Sequence, residues 1–128
     1  MSLARSRPSN IDRRAPNLWA MTAPSYGLVL AIRVDLLRTE SGGRVHPIRT
    51  GYRPICAVTT PDGQDRMIGL CQLSIDGDLR PGETGIAELS FANSVSDLAR
   101  SLLRVGSRFY LAEGPHHIGT AEVLSIQA

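Results

Sequence analysis

The stretch that decides the fold of this chain is 42–54, GGRVHPIRTGYRP. Its glycines accept backbone angles that other residues resist, and its prolines fix φ and donate no backbone hydrogen bond. Strand-like sequence lies on both sides of it. The stretch therefore predicts a hairpin turn followed by a rigid corner that carries basic and aromatic side chains.

Length and composition limit what this chain can be. Its 128 residues are enough for one domain with a single core. All fourteen basic residues are arginines, which excludes the lysine chemistry of a P-loop or a Schiff base. No nucleophile elbow, ordered catalytic triad or metal-ligand spacing occurs, so we expect no enzyme activity and no cofactor.

The net charge of +2 is unevenly distributed along the sequence. Residues 1–20 carry four arginines against Asp12, whereas residues 21–128 carry ten arginines against eleven carboxylates. Residues 1–26 mix Arg, Pro, Ser and Asn without a hydrophobic period, which predicts a disordered basic tail. A phosphate-binding arm is the alternative for this segment, and Met21 is a second candidate for the natural start. RNA binding by the remaining domain, 27–128, would require a local arginine patch.

Two further features concern the compartment. No stretch is long and apolar enough to span a membrane, and the N-terminus lacks the apolar core of a signal peptide, so we expect a cytoplasmic protein. Cys56 and Cys71 do not form the framework of a small secreted domain. We expect both thiols to be reduced and buried, with a disulfide as the less favoured alternative.

From residue 27 onward, short β-branched or alternating runs are separated by Gly, Pro and Asp, which is typical of an antiparallel barrel or sandwich. We predict six strands at 28–38, 55–60, 66–75, 86–91, 108–112 and 118–126, with tight turns at 61–64 and 113–116. Helical spacing of apolar residues predicts one short helix at 94–104, capped by Ser94 or Ser96. Its apolar stripe is expected to cover the core; binding to a partner is the alternative. Closure into an all-β barrel avoids exposed edges.

The 42–54 stretch resembles the opening of domain 3, the C-terminal β-barrel of elongation factor Tu. Gly42-Gly43-Arg44, Pro47 and Gly51-Tyr52-Arg53-Pro54 have the spacing of that family's Gly-Gly-Arg-x-x-Pro and Gly-Tyr-Arg-Pro elements. Further likenesses over about residues 28–126 are Thr59-Thr60, Pro81-Gly82, Arg108-Phe109 and Glu113-Gly114. The resemblance implies a six-stranded antiparallel Greek-key barrel, present here as a stand-alone protein.

In that family the barrel is a binding module that packs against the GTPase domain, contacts the T stem of aminoacyl-tRNA and meets the nucleotide-exchange factor. This chain departs from the family at three positions. Ile55 replaces a glutamine that touches the T stem, His116 replaces an arginine, and Ala121 replaces a glycine. We therefore expect a non-enzymatic module that binds a protein partner, with an RNA-binding accessory protein of translation as the alternative.

The candidate binding surface consists of the 42–53 segment and the 113–118 loop. Its candidate residues for contact with a protein or RNA are Arg44, His46, Arg49, Tyr52, Arg53, His116 and His117. Arginine forks suit phosphates and carboxylates alike. For Tyr52 and Arg53 we favour a structural role, in which Tyr52 packs under the corner and Arg53 bonds strand-end carbonyls, whereas for Arg44 and Arg49 both roles stay open. A zinc enzyme using the three histidines is the weakest hypothesis, because adjacent residues in an extended strand point to opposite faces.

Overall fold

Seven strands, one α-helix and a single 3-10 turn at Thr39–Ser41 form the part of the chain that the computed structural model describes, residues 26–127. They are β1 Tyr26–Leu36, β2 Ile55–Thr59, β3 Asp65–Ile68, β4 Cys71–Ile75, β5 Thr84–Ala92, α1 Asn93–Leu102, β6 Arg108–Glu113 and β7 His116–Ile126. All strand pairs are antiparallel. The predicted all-β fold with one short helix is confirmed. The predicted tail at 1–26 lies outside the described residues except for Tyr26, which begins β1.

Strand β1 lies in the middle of the sheet. It pairs with β5 on one side and with β7 on the other. Alternate side chains along it are buried, among them Leu30, Ile32 and Val34, which are fully inaccessible to solvent. Leu89 and Phe91 of β5 are equally buried, as their alternation predicts. The apolar face of these two strands therefore forms the centre of the core.

The strand count differs from the prediction of six. The run predicted as one strand at 66–75 is divided into β3 and β4 by a corner at Gly69 and Leu70. Leu70 takes a left-handed φ of 54°, which side chains with a Cβ rarely adopt. The chain therefore turns at this corner, and each half of the run pairs with a different neighbour: β3 with β2, and β4 with β5.

The strand order is β3-β2-β6-β7-β1-β5-β4, so β3 and β4 are the edges of the described sheet. These two edges do not pair with each other, so the predicted barrel is not closed by strand pairing.

The prediction of a hairpin turn at 42–54 was wrong. The strand before this segment, β1, pairs with β5 and β7, so the segment crosses over to β2 instead of joining two paired strands. On the way it contacts the β4 edge: Gly51 N donates to Leu73 O at 2.8 Å, and Leu73 N donates to Tyr52 O at 2.8 Å. Pro54 cannot extend this ladder because it has no N–H.

Helix α1 lies over the core, as its apolar stripe predicts. Val95, Leu98 and Leu102 are half-buried and pack against the core cluster. The predicted serine cap is absent. The buried Ser96 instead donates from its hydroxyl to the Ala92 carbonyl oxygen at 2.9 Å, within the first turn.

Both predicted tight turns are confirmed. Gly63 between β2 and β3 has φ of 84°, and Gly114 between β6 and β7 has φ of 58°. The second turn brings the end of β6 beside the start of β7. This hairpin lies next to the 42–54 segment, and together they form the candidate site.

Candidate functional site

The glycine pair at the start of the 42–54 segment directs Arg44 toward the β6–β7 hairpin. Gly42 has φ of 97°, and Gly43 N donates to Arg38 O at 2.9 Å. A Cβ added to Gly43 would overlap the carbonyl oxygen of Leu37. The backbone passes too close here for any other residue, so the pair is a structural requirement of this turn.

The hairpin contacts this turn directly. Glu113, the last residue of β6, pairs with His116, the first residue of β7. The His116 ring atom Nε2 lies 2.5 Å from the carbonyl oxygen of Gly42. Because a carbonyl oxygen only accepts, Nε2 carries the proton in this contact. The two segments named from the sequence, 42–53 and 113–118, therefore meet in space, and we call them together the corner surface.

Glu113 is the centre of the corner surface. Its carboxylate forms an ion pair with the Arg44 guanidinium and accepts a hydrogen bond from the Tyr52 hydroxyl at 2.5 Å. The guanidinium carbon of Arg44 lies 4.9 Å from the centre of the Tyr52 ring, and Arg44 Nε donates to the His46 carbonyl oxygen at 3.1 Å. One carboxylate thus fixes an arginine and a tyrosine from the other segment.

The environment of Tyr52 raises the pKa of its hydroxyl well above the ordinary value. Burial of the half-buried ring is the main cause, followed by the hydrogen bond to Glu113 and the negative charge of that carboxylate. The Arg44 guanidinium lowers the pKa by a smaller amount. Tyr52 therefore remains a neutral hydrogen-bond donor to Glu113 at physiological pH.

The other two candidate arginines have different environments. Arg49 Nε lies 3.3 Å from an Asp78 carboxylate oxygen, and the Arg49 side chain is 73% exposed. Arg53 is exposed on the rim of a separate apolar groove that Leu70 also lines. Arg44 and Arg49 nevertheless line one open groove with Tyr52, whereas Arg53 lies apart from them.

The histidines are also separated from one another. His117 stacks on the Tyr110 ring with centroids 4.3 Å apart and an interplanar angle of 19°. His46 is exposed and contributes its carbonyl oxygen to Arg44. Within residues 26–127 no three His, Cys, Asp or Glu side chains lie close enough to hold a metal ion. The corner surface thus gathers Arg44, His46, Arg49, Tyr52 and His116.

The sequence analysis did not identify the carboxylates that partner these arginines. Glu113 lies 69 positions from Arg44, and Asp78 lies 29 positions from Arg49. Only the tertiary fold brings such residues together. The available signal was weak: a carboxylate at the end of a strand, next to a turn that the family resemblance had already marked.

A groove of about 330 Å³ on the outer face of the sheet is a second feature that the sequence did not indicate. Arg33 donates to Glu122 at 2.9 Å and lies 3.7 Å from Asp35. Arg108 lies 3.8 Å from Glu122 as well. Two arginines and two carboxylates balance one another here, so the groove carries no excess charge for an ionic ligand.

No known protein family has a model that matches this chain. The chain is similar to a curated protein of Streptomyces avermitilis named Elongation factor Tu 2, with 32% identity over 125 residues. That match covers 98% of this chain and 30% of the relative. The similarity thus extends over a domain-sized part of an elongation factor Tu. None of the helices in the described part of the chain is sufficiently long and apolar to cross a membrane.

Proposed function

We propose that this chain is a non-enzymatic binding module, equivalent to the C-terminal barrel of elongation factor Tu, and that its corner surface binds a protein partner. The similarity over nearly the whole chain supports the first part. The order of the motifs along 42–54 supports the assignment to the C-terminal barrel. In this proposal residues 27–128 form the module, residues 1–26 form a basic tail, and the module acts in the cytoplasm with the translation machinery.

The Glu113 carboxylate carries the second part of the proposal. It links the two segments of the corner surface through Arg44 and Tyr52 before any partner arrives. A surface whose side chains are already ordered loses less entropy on binding. Such a surface provides directional hydrogen bonds and half-buried aromatic area, which are common features of protein interfaces.

The same ion pairs favour a protein over RNA. A phosphate would have to compete with Glu113 for Arg44 and with Asp78 for Arg49, since each arginine already pairs with a carboxylate. The gain from counterion release, which drives most phosphate binding, is then offset by the loss of an existing pair. The three altered family positions, Ile55, His116 and Ala121, agree with this preference.

The test uses the full-length chain as immobilised bait in an extract of its own organism. Arg49→Glu reverses an exposed charge on the corner surface, and Arg104→Glu makes the same change at an exposed residue outside it. We expect a protein that is retained by the wild type and by Arg104→Glu, and lost with Arg49→Glu. Binding must then be reproduced with the purified partner. Equal retention by all three baits would refute the role of the corner surface.

The RNA alternative is tested in parallel by fluorescence anisotropy with tRNA at two salt concentrations. If RNA were the ligand, its affinity would fall steeply with salt, with a logarithmic slope of about 0.7 to 0.9 for each phosphate neutralised. We expect no binding that depends on Arg44 or Arg49. A steep salt dependence that Arg49→Glu abolishes would replace the protein-binding proposal with RNA binding.

A further inference from the structure

The only two cysteines of the chain lie next to each other beside the corner between β3 and β4. Cys56 belongs to β2 and Cys71 to β4, and these strands are not neighbours in the sheet. Their Sγ atoms are 3.7 Å apart, and both residues are buried. A direct contact between two thiols therefore joins strands that share no backbone pairing.

The hydrogen bonds of the two thiols define their relative orientation. Cys71 Sγ donates to the carbonyl oxygen of Pro54 at 3.2 Å. Its proton is thereby engaged, so Cys56 is the donor and Cys71 Sγ the acceptor in the contact between the two sulfurs. A disulfide bond is about 2.05 Å long, so the sulfurs need to approach by about 1.7 Å to form one.

Of the two cysteines, only Cys71 borders a groove of the described residues that opens to solvent. Cys71 lines an apolar groove of about 190 Å³ together with Ile55 and Leu70, whereas Cys56 is fully buried. The hydrogen bond with Cys71, followed by burial, raises the pKa of the Cys56 thiol. A small neutral oxidant can therefore reach Cys71 first, while Cys56 remains an undissociated thiol beside it.

We propose that Cys56 and Cys71 are a redox modification site at which hydrogen peroxide forms an intramolecular disulfide. In the first step the Cys71 sulfur attacks one peroxide oxygen, the O–O bond breaks, and a sulfenic acid and one water result. In the second step the Cys56 sulfur attacks the Cys71 sulfur, the S–O bond breaks, and a second water leaves. Two thiols and one peroxide thus give one disulfide and two waters, and a small dithiol reverses the reaction.

The disulfide would covalently join β2 to β4, two strands that do not pair with each other. It would hold Arg53 and Pro54, which directly precede β2, against β4, the strand whose backbone bonds to Gly51 and Tyr52. Oxidation would therefore stiffen the backbone that carries one half of the corner surface. The proposal depends only on the geometry of the two thiols, and it stands whether or not the corner surface binds a protein.

The experiment treats the folded, reduced full-length chain with hydrogen peroxide and quenches it with N-ethylmaleimide before denaturation. We expect a product lighter by two hydrogen atoms, monomeric, without alkylation, and with a single cross-linked peptide pair containing Cys56 and Cys71. Because the bond links residues 15 positions apart, we expect the Tm of the oxidised protein to be about 10 °C higher than that of the reduced protein. Reduction should restore the original Tm. A loss of two hydrogen atoms together with a higher Tm would show that the disulfide forms within the folded protein.

Two variants test the order of the steps. Cys56→Ser leaves the Cys71 sulfenic acid without a resolving thiol, so dimedone should trap it at Cys71. Cys71→Ser should leave Cys56 unmodified over the same time. Intermolecular dimers, sulfinic acid at either residue of the wild type, or thiols that react only after unfolding would each overturn the proposal. The wild-type result is decisive even if a variant fails to fold.

Discussion

Removal of the Glu113 carboxylate is the most direct test of how the corner surface is held together. Glu113→Ala deletes the ion pair with Arg44 and the hydrogen bond from Tyr52. The side chains of Arg44 and Glu113 are 22% and 41% exposed, so solvent screens the ion pair and limits it to about 0.5 kcal/mol. The hydrogen bond to a charged acceptor adds about 1.5 kcal/mol. We expect the free energy of unfolding to fall by about 2 kcal/mol.

A double-mutant cycle separates the hydrogen bond from the rest of this loss. Tyr52→Phe keeps the ring over which Arg44 lies and should cost about 1.5 kcal/mol, the value assigned above to the hydrogen bond. In the double variant this bond is lost only once, so the total cost should be about 1.5 kcal/mol smaller than the sum of the two single variants. Urea unfolding monitored by circular dichroism measures all four proteins. An unchanged m-value is required for the comparison.

Two controls make this result interpretable. Glu113→Gln keeps an oxygen that accepts from Tyr52 but removes the charge, so it should recover part of the stability. Glu88→Ala removes an exposed carboxylate from β5 and should change the free energy of unfolding by less than about 0.5 kcal/mol. If the single-variant costs of Glu113→Ala and Tyr52→Phe add to within about 0.3 kcal/mol, the two residues do not interact, and our description of the corner surface is wrong.

Three further predictions concern the fold around this surface. Gly43→Ala should lower the free energy of unfolding by about 1–3 kcal/mol, because the added Cβ overlaps the Leu37 carbonyl oxygen. The control Gly69→Ala, where no atom lies within 4 Å of the added Cβ, should cost less than about 1 kcal/mol. Equal costs would contradict the close backbone approach at Gly43. Because the folded-state pKa of Tyr52 is raised, its contribution to stability is complete below about pH 10 and is lost as the pH rises above it; the free energy of unfolding of Tyr52→Phe should therefore fall less steeply above about pH 10 than that of the wild type, and phenolate absorbance should show one late-titrating tyrosine. Leu70→Gly should increase the free energy of unfolding by about 1 kcal/mol in urea, because glycine adopts φ of 54° without strain, and a decrease would show that the exposed leucine side chain stabilises the corner.

The sequence predicted the parts of the fold that depend on local periodicity. The alternation in β1 and β5 correctly identified which side chains are buried, and the glycines at positions 63 and 114 marked the two tight turns. The break between β3 and β4 was not predictable in the same way. A leucine at position 70 is among the residues least expected in a left-handed conformation, so its residue type gave no sign of the corner.

The sequence named two segments for the candidate site, 42–53 and 113–118. They meet in the structure through the contact between His116 and Gly42, which lie 74 positions apart, and their role in binding stays a prediction. The pairing of the candidate arginines with carboxylates was not predictable from the sequence. It depends on Glu113 and Asp78, whose arginine partners lie far away along the chain and come close only through the pairing of the strands.

The ion pairs of the corner surface also define the kind of partner it would suit. In the pair of Arg44 and Glu113 the carboxylate is the more exposed member, at 41% against 22%. In the pair of Arg49 and Asp78 the arginine is the more exposed member, at 73% against 44%. The surface therefore presents an acceptor at one end and a cation at the other. A nucleic-acid backbone, which is negative throughout, complements only the second end. A protein with N–H donors or a cation opposite Glu113, and a carboxylate opposite Arg49, complements both.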